Sequence, residues 1–305
     1  MNFTVQWQQS PIPVLAKPAR NRTKSKKEPE PVMQKRLTYF TDDMTKFVTA
    51  GDGKVLEALP PGFYNHYYDD DNNNDRHFFT AKEPNKSKVL ELDADQVEVV
   101  QQVDTFWDAA AEYQRLGFQH KRGLLLYGPP GTGKSTTMRH LAQKLVARGG
   151  ICLSTHHPAL IEGAIGAVRA RTPNQPIAFV FEDLDGWMHP GRDWESTFTN
   201  ALDGLGAVEH VLFMATTNYL DKLSDRIKDR PGRFDWLMEI GFPSEETRRR
   251  FFLAIDPTLP ATDVEELVAQ TDKKSIAHLQ EALLRRRVFK SSKRLPTHKK
   301  AAAAK

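Results

Sequence analysis

The chain has 305 residues, enough to bury a sizeable core in one large domain or two modest ones. With 39% hydrophobic and 27% charged residues it reads as a folded body with polar ends, not as a wholly disordered chain, and no run approaches the ~20 apolar residues that cross a bilayer. Cys152 is the single cysteine, which excludes intramolecular disulfides and clustered-thiolate zinc sites.

The formal net charge of +4 hides an uneven distribution. Residues 17–36 hold eight Lys or Arg against Glu28 and Glu30, and residues 285–305 hold nine basic residues and no acidic one, so the middle of the chain is net acidic. Basic ends of this kind bind phosphate-rich partners or stay solvated, and no aromatics are interleaved to stack bases. The opening MNFTVQWQQSPIPVLAKP has neither the early positive charge nor the long apolar stretch of a signal peptide, which predicts a soluble intracellular protein.

In chain order, residues 1–36 combine prolines with the lysine cluster and show no periodicity, predicting a disordered basic arm. Residues 37–92 carry short aromatic runs, LTYF, GFYNHYY and HFFT, separated by PPG at 60–62 and by DDDNNND at 69–75, the pattern of a small β-rich appendage. His66, His77 and the Asp cluster fit no defined metal-binding loop. Residues 94–116 place Val97, Val100, Phe106 or Trp107, Ala110 and Tyr113 at three- and four-residue intervals, predicting one amphipathic helix ended by Gly117. Apolar strands follow at 123–127, 151–153, 177–181, 211–215 and 237–240 with helical segments between them, which implies a buried parallel sheet in three αβα layers over residues 93–242. SEETRRRFFLAI, TDVEELVAQ and KSIAHLQEALLRRR then predict a small helical domain over 243–288, and residues 289–305 a basic disordered tail.

Chemistry concentrates in that sheet. Gly128-Pro129-Pro130-Gly131-Thr132-Gly133-Lys134-Ser135, with Thr136 next, matches G-x-x-x-x-G-K-[ST] after a strand and before a helix, the context in which backbone N–H groups and a lysine cradle the phosphates of ATP. Lys134 is predicted to neutralise phosphate charge and Ser135 to ligate Mg²⁺. Glu182 and Asp183 end the strand IAFVF, with Asp185 beyond, and are candidates to hold Mg²⁺ and to polarise the attacking water. Asn218, closing MATTN, is placed to orient that water, and Arg230 and Arg233 in RIKDRPGRFDW are candidates for a clamp on the transition state. His156 and His157 read as loop residues, because adjacent side chains diverge and no third ligand is close in sequence.

GPPGTGKS, the acidic pair, FTNALDG, MATTN and DRPGRFD together resemble the AAA family of ATPases over about residues 117–288. Within it, YQRLGFQHKRGLLLYGPPGTGKST, FEDLDGW and NALDG are similar to the subfamily of the chaperone that assembles mitochondrial respiratory complex III, with its bacterial and phage relatives. The resemblance implies a P-loop ATPase fold with a helical lid and an ATP-driven ring, commonly a hexamer. It also implies Asn218 as the sensor of the γ-phosphate, Arg230 and Arg233 as arginine fingers on the neighbouring subunit, and a protein or nucleoprotein partner to be remodelled. The alternatives are a nucleotide-gated assembly module with slow hydrolysis, and a DNA-handling ATPase using the basic tails.

The chain departs from the family pattern in four places. Glu182 precedes Asp183, the reverse of most members though an order the named subfamily shares, so that by position Glu182 would serve magnesium and Asp183 would be the base. HHPALIEGAIGAVRARTPNQP contains no aromatic to grip an extended polypeptide. No stretch corresponds to the mitochondrial chaperone's transmembrane segment, so no membrane role is expected. Ser275-Ile276-Ala277 stands where many members have Ser-Gly-Ala, and no second sensor arginine is evident. A chain without a targeting segment suggests a bacterial protein, or a phage protein in its host's cytoplasm.

Overall fold

The computed structural model describes residues 39–41, 46–49, 54–56, 58–69, 76–82, 93–155, 157–187, 194–204, 208–228 and 232–289. The expected arm at 1–36, the acidic turn at 70–75 and the tail beyond Phe289 lie outside these residues. One continuous sheet of ten strands organises the described part, in the order β10-β6-β9-β8-β7-β4-β5-β2-β1-β3.

Its parallel half consists of β6 (Lys121–Tyr127), β7 (Ile151–Thr155), β8 (Ile177–Phe181), β9 (Val211–Thr217) and β10 (Trp236–Glu239), joined by β4 (Gly62–Asp69). The three layers follow from burial on both sheet faces. β9 is buried at every position, as a strand covered front and back requires. Side chains alternate between two cores. Leu125, Phe179, Phe181 and Phe213 face one side, where α4 (Leu160–Arg169) and α6 (Trp194–Asp203) pack; Leu124, Leu126, Ala178 and Met214 face the other, where α1 (Ala94–Asp108) and α3 (Lys134–Ala147) pack. Aromatic stacking continues the first core outward, with Phe179–Phe213 centroids 5.6 Å apart and Phe198–Phe234 5.7 Å apart.

The predicted single helix over 94–116 is two, α1 and α2 (Ala110–Leu116), broken at Ala109. Its buried face also differs from the one expected: Gln96, Val99, Val100, Val103 and Phe106 point inward, while Val97 is 40% exposed. α2 buries no residue fully, but Tyr113 packs edge-on against Phe106 of α1 with ring centroids 5.8 Å apart, and Gly117 ends the helix in the left-handed conformation expected of a terminator.

The strands described within 37–92 do not form a sheet of their own. β4 runs parallel to β7, with Gly62 opposite Ile151 and His66 opposite Thr155, and so extends the ATPase sheet itself. The run GFYNHYY explains this: Tyr64 and His66 turn into the core, while Phe63 packs against the α1/α3 side. Both faces are therefore covered, as in an inner strand. β5 (Arg76–Ala81) then pairs antiparallel with β4, and β2 (Lys46–Thr49), β1 (Tyr39–Thr41) and β3 (Lys54–Leu56) continue antiparallel to the far edge. His66 is 0% exposed, its Nε2 lies 2.9 Å from Nδ1 of His77, and no third metal-ligating residue joins the pair among the described residues.

α5 (Leu184–Trp187) is a single turn just after the C-terminal end of β8, and α7 (Asp225–Lys228) is a single turn between β9 and β10. α8 (Glu245–Ile255), α9 (Ala261–Gln270) and α10 (Ile276–Arg287) form the expected helical bundle around Phe252, Leu267 and Leu279. Among the described residues no helix is long and apolar enough to cross a membrane.

Two packing details carry predictions. Gly123 on β6 lies against the backbone of Arg233, where an added Cβ would stand 1.8 Å from the carbonyl oxygen and 2.5 Å from the carbonyl carbon. Neither partner can yield, because β6 is an inner strand and Phe234 is fully buried. Gly123→Ala is expected to cost about 3 kcal/mol in urea denaturation; an unchanged midpoint would contradict the packing.

At the opposite end of the sheet from the phosphate loop, buried His120 donates from Nε2 to the Phe106 carbonyl at 2.7 Å, and its Nδ1 lies 2.9 Å from Nδ1 of His210. A carbonyl only accepts, so the neutral His120 is protonated on Nε2 and His210 supplies the hydrogen between the rings. Burial lowers both pKa values below the ordinary 6.5; Glu209 opposes the shift at both rings, and Arg169 reinforces it at His210. The unfolded chain therefore binds protons first on acidification. The neutral pair's contribution is fully present above about pH 6.5 and is lost as the pH falls through the lowered values. The denaturation midpoint should drop between pH 7 and pH 5, and His120→Gln should flatten that slope.

Candidate nucleotide site

The loop 128–135 leaves the C-terminal end of β6 and enters α3. Gly128, Gly131 and Gly133 have φ of 138°, 74° and 110°, conformations that side chains disfavour. The loop is also enclosed: a Cβ on Gly128 would meet the Ile240 carbonyl oxygen at 2.4 Å, one on Gly131 the Ser275 Oγ at 2.9 Å, and one on Gly133 the Gln96 Nε2 at 2.9 Å. Thr132 Oγ1 closes the loop on the Pro129 carbonyl at 3.0 Å. Pro130 completes the turn, and Ser135 and Thr136 sit half-buried in the first turn of α3.

Lys134 is 5% exposed, and its ammonium donates to the carbonyls of Gly128 (2.9 Å) and Pro129 (2.8 Å) and to Asn218 Oδ1 (2.7 Å). Burial lowers its pKa, and the carboxylates of Asp183 and Asp185 oppose that shift. β9 lies between β6 and β8, with Tyr127 opposite Thr217 and Phe181 opposite Ala215. The residues after each strand, Gly128, Asn218 and Glu182-Asp183, therefore come out side by side at the C-terminal edge of the sheet.

Asn218 is the centre of this edge. It accepts from Lys134 through Oδ1 and donates from Nδ2 to Asp183 Oδ1 at 3.2 Å, so phosphate loop, amide and carboxylate form one hydrogen-bonded set. Asp183 is exposed and has φ of 51°, a left-handed conformation that Asp tolerates, and its N–H donates to Thr216 Oγ1 at 3.0 Å. Glu182 is exposed beside it. Asp185 accepts from Thr217 Oγ1 at 2.7 Å and from the Asn218 N–H at 3.3 Å, fixing the backbone from which the amide projects.

Arg233 does not join the set. It is 4% exposed and grips Asp203 of its own chain with two bonds, Nε to Oδ1 at 3.0 Å and Nη2 to Oδ2 at 2.7 Å, while Nη1 donates to the Arg226 carbonyl. A guanidinium so engaged is a strut between α6 and the loop after α7, and the expectation of a free finger at Arg233 is corrected accordingly. Arg230 lies outside the described residues, as does His156. His157 packs its ring on Trp194, with centroids 4.6 Å apart.

Three features near the loop were not expected from sequence. The C-terminal helical bundle touches the phosphate loop, with the Ile276 N–H donating to the Gly131 carbonyl at 3.0 Å and Ser275 Oγ bonded to His278 Nδ1 at 2.7 Å. Gln96 reaches from α1 to Thr137, Nε2 donating to Oγ1 at 2.7 Å, and Thr137 donates to the Gly133 carbonyl at 3.1 Å. Asp93 caps α1 and also accepts from the Ser244 N–H (2.8 Å) and Oγ (3.1 Å) at the start of α8. Burial opposes ionisation of Asp93, but donors from Ser244, Thr247 and Ala94 outweigh it and hold the carboxyl below its ordinary range. Asp93-x-x-Gln96 is a capping-box spacing visible in the sequence; its tertiary contacts are not.

Comparison with known proteins places this geometry. Residues 124–242 match the model of the ATPase family associated with various cellular activities (AAA). The chain is 31% identical over 219 residues to the "Mitochondrial chaperone BCS1" of Homo sapiens (65% of this chain, 51% of that protein) and 30% identical over 215 residues to the "Probable mitochondrial chaperone BCS1-B" of Dictyostelium discoideum (58% and 46%). It is also 30% identical over 178 residues to a "Cell division cycle protein 48 homolog" of Archaeoglobus fulgidus (52% and 24%). The chain thus spans about half the length of the chaperone relatives it matches. The expected bacterial or phage cytoplasmic setting is overturned by these relatives, several of which are named as mitochondrial chaperones. With the loop, the carboxylates and Asn218 on one edge of a parallel sheet, this chain carries an AAA-family ATPase domain and is related to the mitochondrial chaperone subfamily.

Proposed function

We propose that the chain hydrolyses ATP to ADP and phosphate at this edge and uses the cycle, in a ring of copies, to remodel or assemble a protein or nucleoprotein partner. The observation that carries the reading is the Lys134–Asn218–Asp183 set, which joins a phosphate-binding cation to a carboxylate through one amide.

Mg²⁺ fits the donors present, since Ser135 Oγ and the exposed carboxylates of Glu182 and Asp183 are hard oxygens of the kind it prefers. Bound there with the nucleotide, it would supply charge neutralisation on the β- and γ-phosphates. Lys134 holds two neutral carbonyls, and phosphate oxygens are stronger acceptors, so its Nζ would transfer to them. In this reading Glu182 serves the metal, Asp183 accepts the proton of the attacking water, and Asn218 orients that water while keeping the carboxylate in place. The backbone N–H groups of the loop and the N-terminus of α3 receive the remaining phosphate charge. Arg230 is the finger candidate, with Arg233 bracing its loop through Asp203. Residues 243–288 act as the lid.

The test is ATP turnover per subunit against protein concentration, with and without DNA at two salt concentrations. A steep rise with concentration supports sites completed between subunits, and Arg230→Ala should then lower turnover with nucleotide binding retained. Flat turnover with a monomeric sizing profile would contradict the ring. Salt-sensitive stimulation by DNA would favour the DNA-handling alternative.

A further inference from the structure

A continuous line of hydrogen bonds runs from the phosphate loop to the first lid helix, and its direction is fixed by its ends. The Asp93 N–H can only donate, so Gln96 receives it on Oε1 (2.9 Å) and must present Nε2 to Thr137 Oγ1 (2.7 Å). Thr137, having accepted, donates its own hydrogen to the Gly133 carbonyl (3.1 Å). On the other side the Asp93 carboxylate takes the N–H and hydroxyl of Ser244, whose Oγ in turn caps α8 by accepting from the Thr247 N–H at 3.2 Å. Gln96 and Thr137 are buried polar side chains, so losing a partner costs far more than a solvated bond would. Gln96 also stands against Gly133 with no room for a Cβ between them.

We propose that Gln96 is the positioning residue of a relay, Gly133–Thr137–Gln96–Asp93–Ser244, that makes the placement of α8 depend on nucleotide in the phosphate loop. Gly133 carries the N–H that turns into α3, so phosphate bound there fixes the peptide whose neighbouring carbonyl Thr137 reads. The lid's other contact, the Ile276 N–H on the Gly131 carbonyl, is separate: it enters through α10 and bypasses Gln96. Among the described residues, hydrogen bonds thus tie the lid to the loop by two routes, one through Ser244 and Gln96 and one through Ile276, and only the first contains Gln96. The proposal rests on nucleotide binding at residues 128–135.

Hydrogen exchange with and without ADP and Mg²⁺ separates the two points. In the unsubstituted chain nucleotide should protect amides at both 244–250 and 275–280. Gln96→Leu, which leaves Thr137 without its donor, should weaken ADP binding about 10- to 100-fold. At saturating ADP it should keep the protection at 275–280 and lose it at 244–250. Thr137→Val should reproduce this and Thr137→Ser should not, and combining Gln96→Leu with Thr137→Val should add little to either alone. Equal protection at 244–250 in Gln96→Leu, or additive losses in the pair, would overturn the relay while leaving nucleotide binding intact. An unsubstituted chain in which neither segment responds would overturn the nucleotide reading, and the relay with it.

Discussion

Lys134→Ala is expected to cut ATP turnover about 10³-fold and to weaken nucleotide binding with it. The ammonium is buried, makes three hydrogen bonds and is the cation of the loop, so its removal takes away both phosphate neutralisation and the tie to Asn218. The variant should still fold, because the acceptors left behind are two carbonyls and an amide at the edge of the site, whereas the cores on either side of the sheet consist of strand and helix side chains that do not include Lys134. Equilibrium binding of a fluorescent ATP analogue and phosphate release together check this. Turnover at the unsubstituted rate would remove the phosphate loop from the mechanism.

Asp183→Asn separates binding from chemistry. The amide can still accept from Asn218 Nδ2, and Asn tolerates the φ of 51° that a residue such as Ala would occupy only with strain, so the loop keeps its shape. If Asp183 is the base, as proposed, what is lost is the proton acceptor, and turnover should fall about 10²- to 10⁴-fold with ATP affinity preserved. Glu182→Gln should act differently, raising the Mg²⁺ concentration needed for turnover. The reverse pattern, with Glu182→Gln abolishing turnover at saturating Mg²⁺ and Asp183→Asn retaining it, would exchange the two assignments.

The phosphate loop was legible because its chemistry is local. Glycines forced into positive φ and a lysine one residue later leave few other uses for the spacing. The five core strands were legible for a similar reason, since segments covered on both faces read as short apolar runs between turns. GFYNHYY reads correctly as a strand, but nothing in its alternation says that it pairs in parallel with β7, some ninety residues away, and so belongs to the ATPase sheet. The buried face of α1 was misread by a residue because Val97, Val99 and Val100 are chemically alike, and only packing against α3 distinguishes them. Arg233 shows the limit for charged residues. An arginine in RPGRFD can grip a phosphate or a carboxylate equally well, and Asp203, thirty residues earlier, decides which. Gln96 fits its capping box locally, while its second arm reaches Thr137, forty-one residues on.

Binding and hydrolysis of ATP with Mg²⁺ at one edge of the sheet is the step on which every role proposed for these residues depends. The most direct test is release of inorganic phosphate from ATP by the purified full chain, with Mg²⁺ and then with excess EDTA, beside Lys134→Ala prepared identically. Release should be proportional to enzyme, lost with EDTA and nearly absent in the variant. Equal release from both proteins, or Mg²⁺-independent release, would contradict hydrolysis at this edge.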